Sequence, residues 1–435
     1  MILVITYVPS QRFLIMGNKI YPIVQWWVAP HLPKEHVFIT SGKKSSGLFT
    51  TMRLYLGRWI IHPIKRHLAH EYSKLLIKSG CEIIGVAGSV GKTTTKNMIA
   101  SVLLQKYTTA WTFGNIDPIY NIPATVLSTG SRTKKLVLEM GIEFLGEMDY
   151  YLWLVQPKVG VITTIYWTHT EFLGSLDNVV KEKGKLIKSL PKNGCAVLNI
   201  DDPQSAKLKD TTKAEIVWYG LDSRAQIRGK NISITKDFKT KFILETGNEM
   251  QEIVLPLLGQ QFVSLALAAA AVGHINGLNT KQIKKGLEKI KAQPHRMTPS
   301  RLKNDTIVID DTYNANPIAV REAIRLMSSI GKKRRKILVL GEMKELGRYE
   351  EEGHREVGKF AVKEGVDCII TLGSATRYVV DEARKAGLGK ECTYLAKDKT
   401  ELLTKMTATI KAKDIILIKG SRSLAMEEIV ERLTK

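Results

Sequence analysis

The sequence predicts an α/β protein: a P-loop central domain with a parallel sheet and an antiparallel insertion, a Rossmann-like C-terminal α/β domain, and a small, mainly helical N-terminal region. Three observations carry this reading. From Cys81 onward, apolar runs of strand length alternate with segments of helix length, the pattern of doubly wound parallel sheets. Between one such strand and helix lies a glycine-rich turn, residues 85–95, reading GVAGSVGKTTT. Residues 1–78 differ from the rest: they are basic, carry tryptophan, and have helical spacing.

In chain order, the opening apolar residues are interrupted by Pro9, Arg12 and Lys19, which is not the pattern of an export signal. Residues 20–29 are broken by Pro22 and Gln25 and end at Pro30, short of the ~20 apolar residues that cross a bilayer. After a Ser/Gly/Lys-rich turn at 41–47, residues 48–61 set Phe49, Met52, Tyr55, Leu56, Trp59 and Ile60 at helical spacing, with Arg53 and Arg58 among them. Pro63 is expected to interrupt this helix, and a second helical stretch runs through Leu68, Tyr72, Leu75 and Leu76 to Gly80. A basic amphipathic helix with tryptophan suits an anionic membrane surface. An apolar stripe packed on a neighbouring domain would give the same pattern.

The central domain, residues 79–297, opens with Ile83, Ile84 and Val86 as a buried strand, and Met98, Ile99, Val102 and Leu103 form the apolar face of the next helix. Further strands are read at 135–140, 159–165 and 196–200. Residues 213–256 carry short strands at 217–219, 232–234 and 242–244 joined by polar turns such as Gly247-Asn248, which predicts the antiparallel insertion. The Ala-rich stretch 265–272 reads as a buried helix, and the two prolines within 293–299 predict a linker. In the C-terminal domain, residues 298–435, strands are expected at 307–309, 337–340, 368–372 and 415–419.

The 435 residues leave room for about three cores, and 44% hydrophobic with 25% charged residues is the composition of a soluble globular protein. Cys81, Cys195, Cys368 and Cys392 lie far apart without metal-ligand spacing, which fits a reduced, cytoplasmic setting. The net charge of +23 favours anionic partners. Residues 1–80 hold 11 Lys/Arg against Glu35 and Glu71, so part of that excess would place the protein peripherally at the inner face of a membrane. No nucleic-acid recognition motif accompanies the charge, and nucleic acid is not an expected partner.

The chemistry centres on the turn. Gly88, Ser89 and Gly91 let backbone N–H groups close around phosphate oxygens at a helix N-terminus. Lys92 would reach the β/γ-phosphates of ATP or GTP and the Thr93 hydroxyl would bind Mg²⁺, with Thr94 beside them. The generic pattern wants glycine at position 86, which is Val86, and the glycine stands one earlier at Gly85. Glu139 ends an apolar strand, where an acid facing the nucleotide crevice can hold Mg²⁺. His169 follows the strand ending at Ile165, and a lone histidine there is as readily structural.

The ordered blocks reach further. Residues 85–95, the Glu139-Met140-Gly141 turn, the His169 segment ending in Gly174-Ser175, Lys183-Gly184, NIDDP at 199–203 and Arg296-Met297 stand in the order seen in the Mur ligases. So do DDTYNANP at 310–317, LGEMKELG at 340–347, HREVG at 354–358 and KGSR at 419–422. From about residue 80 the chain therefore resembles the Mur ligase family. The resemblance implies an ATP- and Mg²⁺-dependent amide ligase that joins an amino acid or a dipeptide such as D-alanyl-D-alanine to a peptidyl cell-wall precursor. It implies that Lys92 contacts the phosphates and that Thr93, Glu139 and His169 serve the magnesium sites. Lys183 falls where the family has a lysine that becomes carbamylated and then binds Mg²⁺. Asp311 and Asn314 would meet the nucleotide from the C-terminal domain, with Arg296 at the domain junction near the phosphates, while Lys419, Ser421 and Arg422 would orient the incoming amine.

Some positions depart from the family pattern. Asp117-Pro118 stands where two adjacent asparagines are usual, Thr164-Ile165-Tyr166 replaces Asn-Ile-Gly, and Gln261, Phe262 and Leu265 replace polar residues near the adenine. Residues 1–78 do not resemble the domain that holds a UDP-sugar. Two alternatives follow: the same chemistry on a lipid-linked or non-standard cell-wall acceptor, or a nucleotide-binding scaffold without ligase activity. Retention of Lys92, Glu139, His169 and Lys183 together argues against the scaffold.

Overall fold

A computed structural model describes residues 26–28, 30–32, 56–114, 116–167 and 170–434. The turn at 41–47, most of the helical run at 48–61 and His169 lie outside these residues.

Helix α1 (His62–Lys78) continues directly from a π-helical turn at Gly57–Ile61. Pro63 therefore does not interrupt the helix, contrary to expectation. Pro63 has no N–H to offer the turn before it, and the Trp27 indole Nε1 donates to the Trp59 carbonyl there at 3.0 Å.

The central sheet follows. In chain order come β1 (Glu82–Ala87), α2 (Lys92–Leu103), β2 (Thr109–Trp111), α3 (Pro118–Ser128), β3 (Lys135–Glu139), α4 (Glu147–Leu154), β4 (Val159–Ile162), α5 (Leu176–Lys188) and β5 (Cys195–Asn199). Then β6 (Glu215–Gly220), β7 (Ile227–Ile234), β8 (Thr240–Thr246), β9 (Glu249–Leu255), α6 (Gln261–Ile275) and α7 (Thr280–Leu287) complete it. The strands lie in the order β2-β3-β1-β4-β5-β6-β7-β8-β9. Strand β1 is paired on both sides in parallel and buried over almost its whole length, as a doubly covered sheet requires. Gly85 belongs to this strand: a Cβ there would meet Leu186 of α5 at 2.9 Å and the Met140 sulfur at 3.0 Å. Its glycine serves helix packing and lies outside the phosphate-holding turn.

Residues 213–256 prove to be an extension of the same sheet. β6, read from sequence as part of the antiparallel insertion, pairs in parallel with β5, because the helical turns at Pro203–Ala206 and Lys207–Thr211 cross over the sheet between them. Only β7, β8 and β9 form antiparallel ladders. Helix α6 is buried, as its alanines predict.

The second sheet comprises β10 (Thr298–Arg301), β11 (Ile307–Asp311), α8 (Pro317–Ile330), β12 (Lys336–Gly341), α9 (Glu350–Lys363), β13 (Cys368–Leu372), α10 (Arg377–Lys385), β14 (Thr393–Ala396), α11 (Lys399–Thr409), β15 (Ile415–Lys419) and α12 (Glu427–Thr434). Its order is β10-β11-β15-β12-β13-β14, parallel except for β10. The expected linker at 293–299 thus ends inside a strand, and Pro299 is tolerated because β10 is an edge. Trp167 stacks on Tyr349 at 4.7 Å, joining the segment after β4 to the second domain.

Helix α1 shares the core of the first domain through Ala69 and Leu76. Ser73 Oγ donates to the Leu154 carbonyl and Tyr72 Oη to that of Thr129, each at 2.8 Å. All four cysteines are free. Among the described residues no helix is long and apolar enough to cross a membrane.

Candidate active site

The carboxyl ends of β1 and β3 face those of β11 and β15 across a cavity of about 680 Å³. Ser89, Gly91, Lys92, Thr93, Thr94 and Glu139 line it from the first domain, Arg296 from the junction, and Asp311, Asn314 and Lys419 from the second. Gly88, Lys183, Ser421 and Arg422 do not line it, and His169 lies outside the described residues.

The phosphate-holding turn is fixed from behind. Thr163 Oγ1 donates to the Val90 carbonyl at 2.7 Å, and a Cβ on Gly88 would lie 1.9 Å from that hydroxyl oxygen. Ser89 donates its N–H to the Thr164 carbonyl at 2.6 Å, while its hydroxyl exchanges hydrogen bonds with the Tyr166 backbone at 2.8 and 2.9 Å. Ser89 thus fastens the turn to the segment after β4. Gly91 is left-handed, φ 83°, and caps α2; a Cβ there would lie 2.5 Å from Leu265 Cδ2. Gly91→Ala is expected to cost about 1–3 kcal/mol of folding stability through this backbone strain, measured by denaturant unfolding.

Lys92 begins α2 beside the Ser89 carbonyl, 3.5 Å from its Nζ. Burial holds its ammonium pKa below the ordinary range and the nearby Arg296 adds to this, whereas Glu139 and Glu143 oppose it. One residue on, Thr93 Oγ1 donates to Glu139 Oε1 at 2.8 Å. Lys96, which sequence reasoning missed, is fully buried one helical turn further: its Nζ donates to the Gly114 carbonyl at 2.8 Å and lies 3.5 Å from Glu139 Oε2. Its i+4 spacing from Lys92, on a helix face that is otherwise apolar, was the available signal. Lys96 orients Glu139 and is itself kept from the cavity.

Lys183 lies on α5 and is buried. Burial pushes its pKa well below the ordinary lysine range, and the Lys92 cation pushes it further. Among the described residues its ammonium has no hydrogen bond, while its neighbour Glu182 accepts from the Gly146 and Met148 N–H groups at 2.9 and 3.1 Å. A buried, unpaired lysine beside another cation favours the neutral amine.

At the domain junction, the Arg296 guanidinium lies over the Tyr313 ring at 4.0 Å. Asp311 accepts from the Met297 N–H at 3.2 Å and from Lys419, and burial raises its carboxyl pKa while Lys419 opposes the rise. The Lys419 ammonium also donates to the Asn314 carbonyl at 2.7 Å, so it ties the 311–314 turn to β15. Ser421 Oγ accepts from the Lys344 N–H at 2.8 Å, and Arg422 pairs with Glu427 at 2.8 Å. Asp117, one of the departures, N-caps α3 by accepting from the Ile119 N–H at 3.0 Å, with Pro118 at the first helical position. Gln261, Phe262 and Leu265 all line the cavity.

His354 fixes the turn after β12, from which Lys344 reaches the cavity. Its Nε2 accepts from the Met343 N–H at 3.1 Å, so its Nδ1–H donates to the Glu350 carbonyl at 2.7 Å. Burial lowers its pKa, so the unfolded chain binds the proton more readily. Stability is then full above the ordinary histidine pKa of ~6.5 and falls as the pH drops below it. A thermal unfolding series should show Tm declining between pH 7.5 and 5.5, with a shallower decline in His354→Gln.

Comparison with known proteins fits a ligase built on this two-domain cleft. The Mur ligase middle domain matches residues 86–273, and the Mur ligase, glutamate ligase domain matches residues 295–422. The chain belongs to the Mur ligase family, as its ordered motifs implied, and is therefore a ligase. Among its relatives is the UDP-N-acetylmuramoyl-tripeptide–D-alanyl-D-alanine ligase of Escherichia coli K12, 32% identical over 81% of this chain and 76% of the relative. That of Bacillus subtilis 168 is 32% identical over 85% and 78%. Of solved structures, MurF from Acinetobacter baumannii superposes with a TM-score of 0.76 at 25% identity, covering 85% of this chain and 80% of that one. MurF from Thermotoga maritima in complex with ADP shares the fold, with a TM-score of 0.74 at 24% identity over 85% and 82%.

Proposed function

We propose that this chain is an ATP-dependent peptide ligase that joins D-alanyl-D-alanine, or a related amino acid or dipeptide, to the carboxylate of a peptidyl cell-wall precursor. A precursor carboxylate oxygen attacks the γ-phosphorus of ATP, and the bond to the β-phosphate oxygen breaks to leave ADP and an acyl phosphate. The incoming amine then attacks the acyl carbon, inorganic phosphate leaves and the ammonium proton is lost. Two anions must approach in the first step, so positive charge fixed at the phosphates does most of the work. The observation that carries this reading is that Lys92, the Thr93–Glu139 pair and Arg296 line one cavity between two domains, in a chain whose relatives are dipeptide-adding ligases.

Lys92 and the backbone of 88–94 hold the phosphates, Arg296 stands near them at the domain junction, and Asp311 and Asn314 meet the nucleotide from the second domain; the domains divide at residues 79–297 and 298–435. Thr93 and Glu139 offer two hard oxygen donors in hydrogen-bond contact, and no group of three or more His, Cys, Asp or Glu forms a dedicated cage among the described residues. That donor set suits Mg²⁺, which keeps water and phosphate oxygens as its remaining ligands. Magnesium when bound neutralises charge on the transferring phosphoryl group. His169 and a carbamylated Lys183 complete the metal-binding set. Lys419 acts on the amine side through the 311–314 turn that it holds, with Ser421 and Arg422 beyond it. We place the reaction in the cytoplasm, where ATP is supplied and thiols stay reduced.

A second reading keeps the reaction and changes the acceptor to one presented at the inner face of a membrane. The exposed apolar face of α1 favours it. Phosphate release with ATP, D-alanyl-D-alanine and the soluble UDP-linked tripeptide tests the first reading: turnover that needs all three supports it. Background release with every carboxylate and amine tried would instead support a scaffold.

A further inference from the structure

Helix α1 has two apolar faces. Ala69 and Leu76 are buried against the first domain. About a third of the way round the helix from them, Ile64, Leu68 and Leu75 fall within an arc of roughly 40° at ~100° per residue, and Leu68 and Leu75 are 56% and 58% exposed. Single exposed leucines need no explanation, but a contiguous stripe does. On the adjoining α3, the Tyr120 ring meets His62 edge-on at 4.9 Å. Beyond Tyr120 stand Ile116 and Phe113, 54% and 78% exposed, and Ile116 also lines the reaction cavity. A second exposed apolar patch on α3 thus stands at the mouth of the site.

Its charges are arranged to match. Exposed Lys65 lies past one edge of the stripe and exposed Lys74 and Lys78 past the other. The acid on this face, Glu71, is paired with Lys74 at 2.9 Å, which leaves Lys65 and Lys78 as the net positive charge at the margins. An apolar stripe with lysines along both margins complements a surface that is anionic at its skin and apolar just beneath. At 17 residues α1 is about 25 Å long, suited to lying in a bilayer interface.

We infer that this face of the enzyme docks peripherally on an anionic lipid bilayer. The inference deepens the membrane-presented acceptor reading above. Flotation of the full chain with phosphatidylcholine vesicles, with and without phosphatidylglycerol, tests it against a Leu68→Glu/Leu75→Glu variant. The wild type should float with the anionic vesicles only, less so at high salt, and the variant at least tenfold less, with unfolding midpoint and turnover of soluble substrate unchanged. Wild type that stays unbound on both vesicles, or a variant that floats equally, overturns the proposal. So does light scattering that finds a dimer dissociated by the variant, since a second copy would then own this face. Flotation reads the surface alone, so loss of turnover without loss of flotation would count against the ligase reading only.

Discussion

Replacing Lys92 with alanine is expected to lower kcat/KM for ATP-dependent ligation by about 10³-fold or more while leaving the protein as stable as before. The two halves of this expectation come from one cause. Lys92 is the cation at the start of α2, where the proposed function puts the phosphates, and preorganised positive charge there is worth most when charge develops on the transferring phosphoryl group. Removing one such donor typically costs 10²–10³-fold, and a lysine serving two phosphates stands at the upper end. In the resting protein the same cation is a liability: burial and Arg296 both disfavour it, and it lowers the pKa of Lys183. Its removal relieves like-charge repulsion, so the denaturant midpoint should hold or rise. A merely structural Lys92 would behave in the reverse way, with the midpoint falling and turnover kept. Steady-state kinetics and urea unfolding on the same preparation separate the two.

The second large effect is expected from carbon dioxide. A buried lysine whose pKa is driven down gives up its proton more readily, and the freed nitrogen lone pair can add to the carbon of CO₂, releasing one proton and leaving a carbamate anion. The charge reversal turns repulsion from Lys92 into attraction and creates an oxygen ligand for magnesium. Turnover in buffer stripped of CO₂ should therefore fall at least tenfold and return on adding bicarbonate. Lys183→Ala should be inactive in both buffers, and Lys183→Glu, which carries a permanent carboxylate, should retain partial activity that no longer responds to bicarbonate. Equal turnover with and without CO₂ would remove Lys183 from the metal site.

Much of this was legible in the sequence because the chemistry is local there. The turn at 85–95, the strand end at Glu139 and the Asp311–Asn314 run each place their groups by a few consecutive residues, and the structure brings them to one cavity. What was not legible depends on partners distant in sequence. The direction of β6 is set by the crossover before it, which its own residues do not encode. The continuity of α1 through Pro63 depends on an indole 36 residues earlier in the chain reaching the Trp59 carbonyl. Lys96 reads as an ordinary helix lysine until β3 brings Glu139 against it. Lys419 ends a strand in the sequence and is expected to orient the incoming amine, whereas β11 and β15 pair side by side and engage it with Asp311.

Mass spectrometry of the precursor tests the central claim most directly. When the chain is incubated with Mg²⁺, ATP, D-alanyl-D-alanine and UDP-N-acetylmuramoyl-tripeptide, the precursor should gain the mass of one dipeptide less one water, with one ADP and one phosphate formed per molecule extended. Hydrolysis of ATP with no mass gain on any peptidyl carboxylate, soluble or lipid-linked, would contradict it.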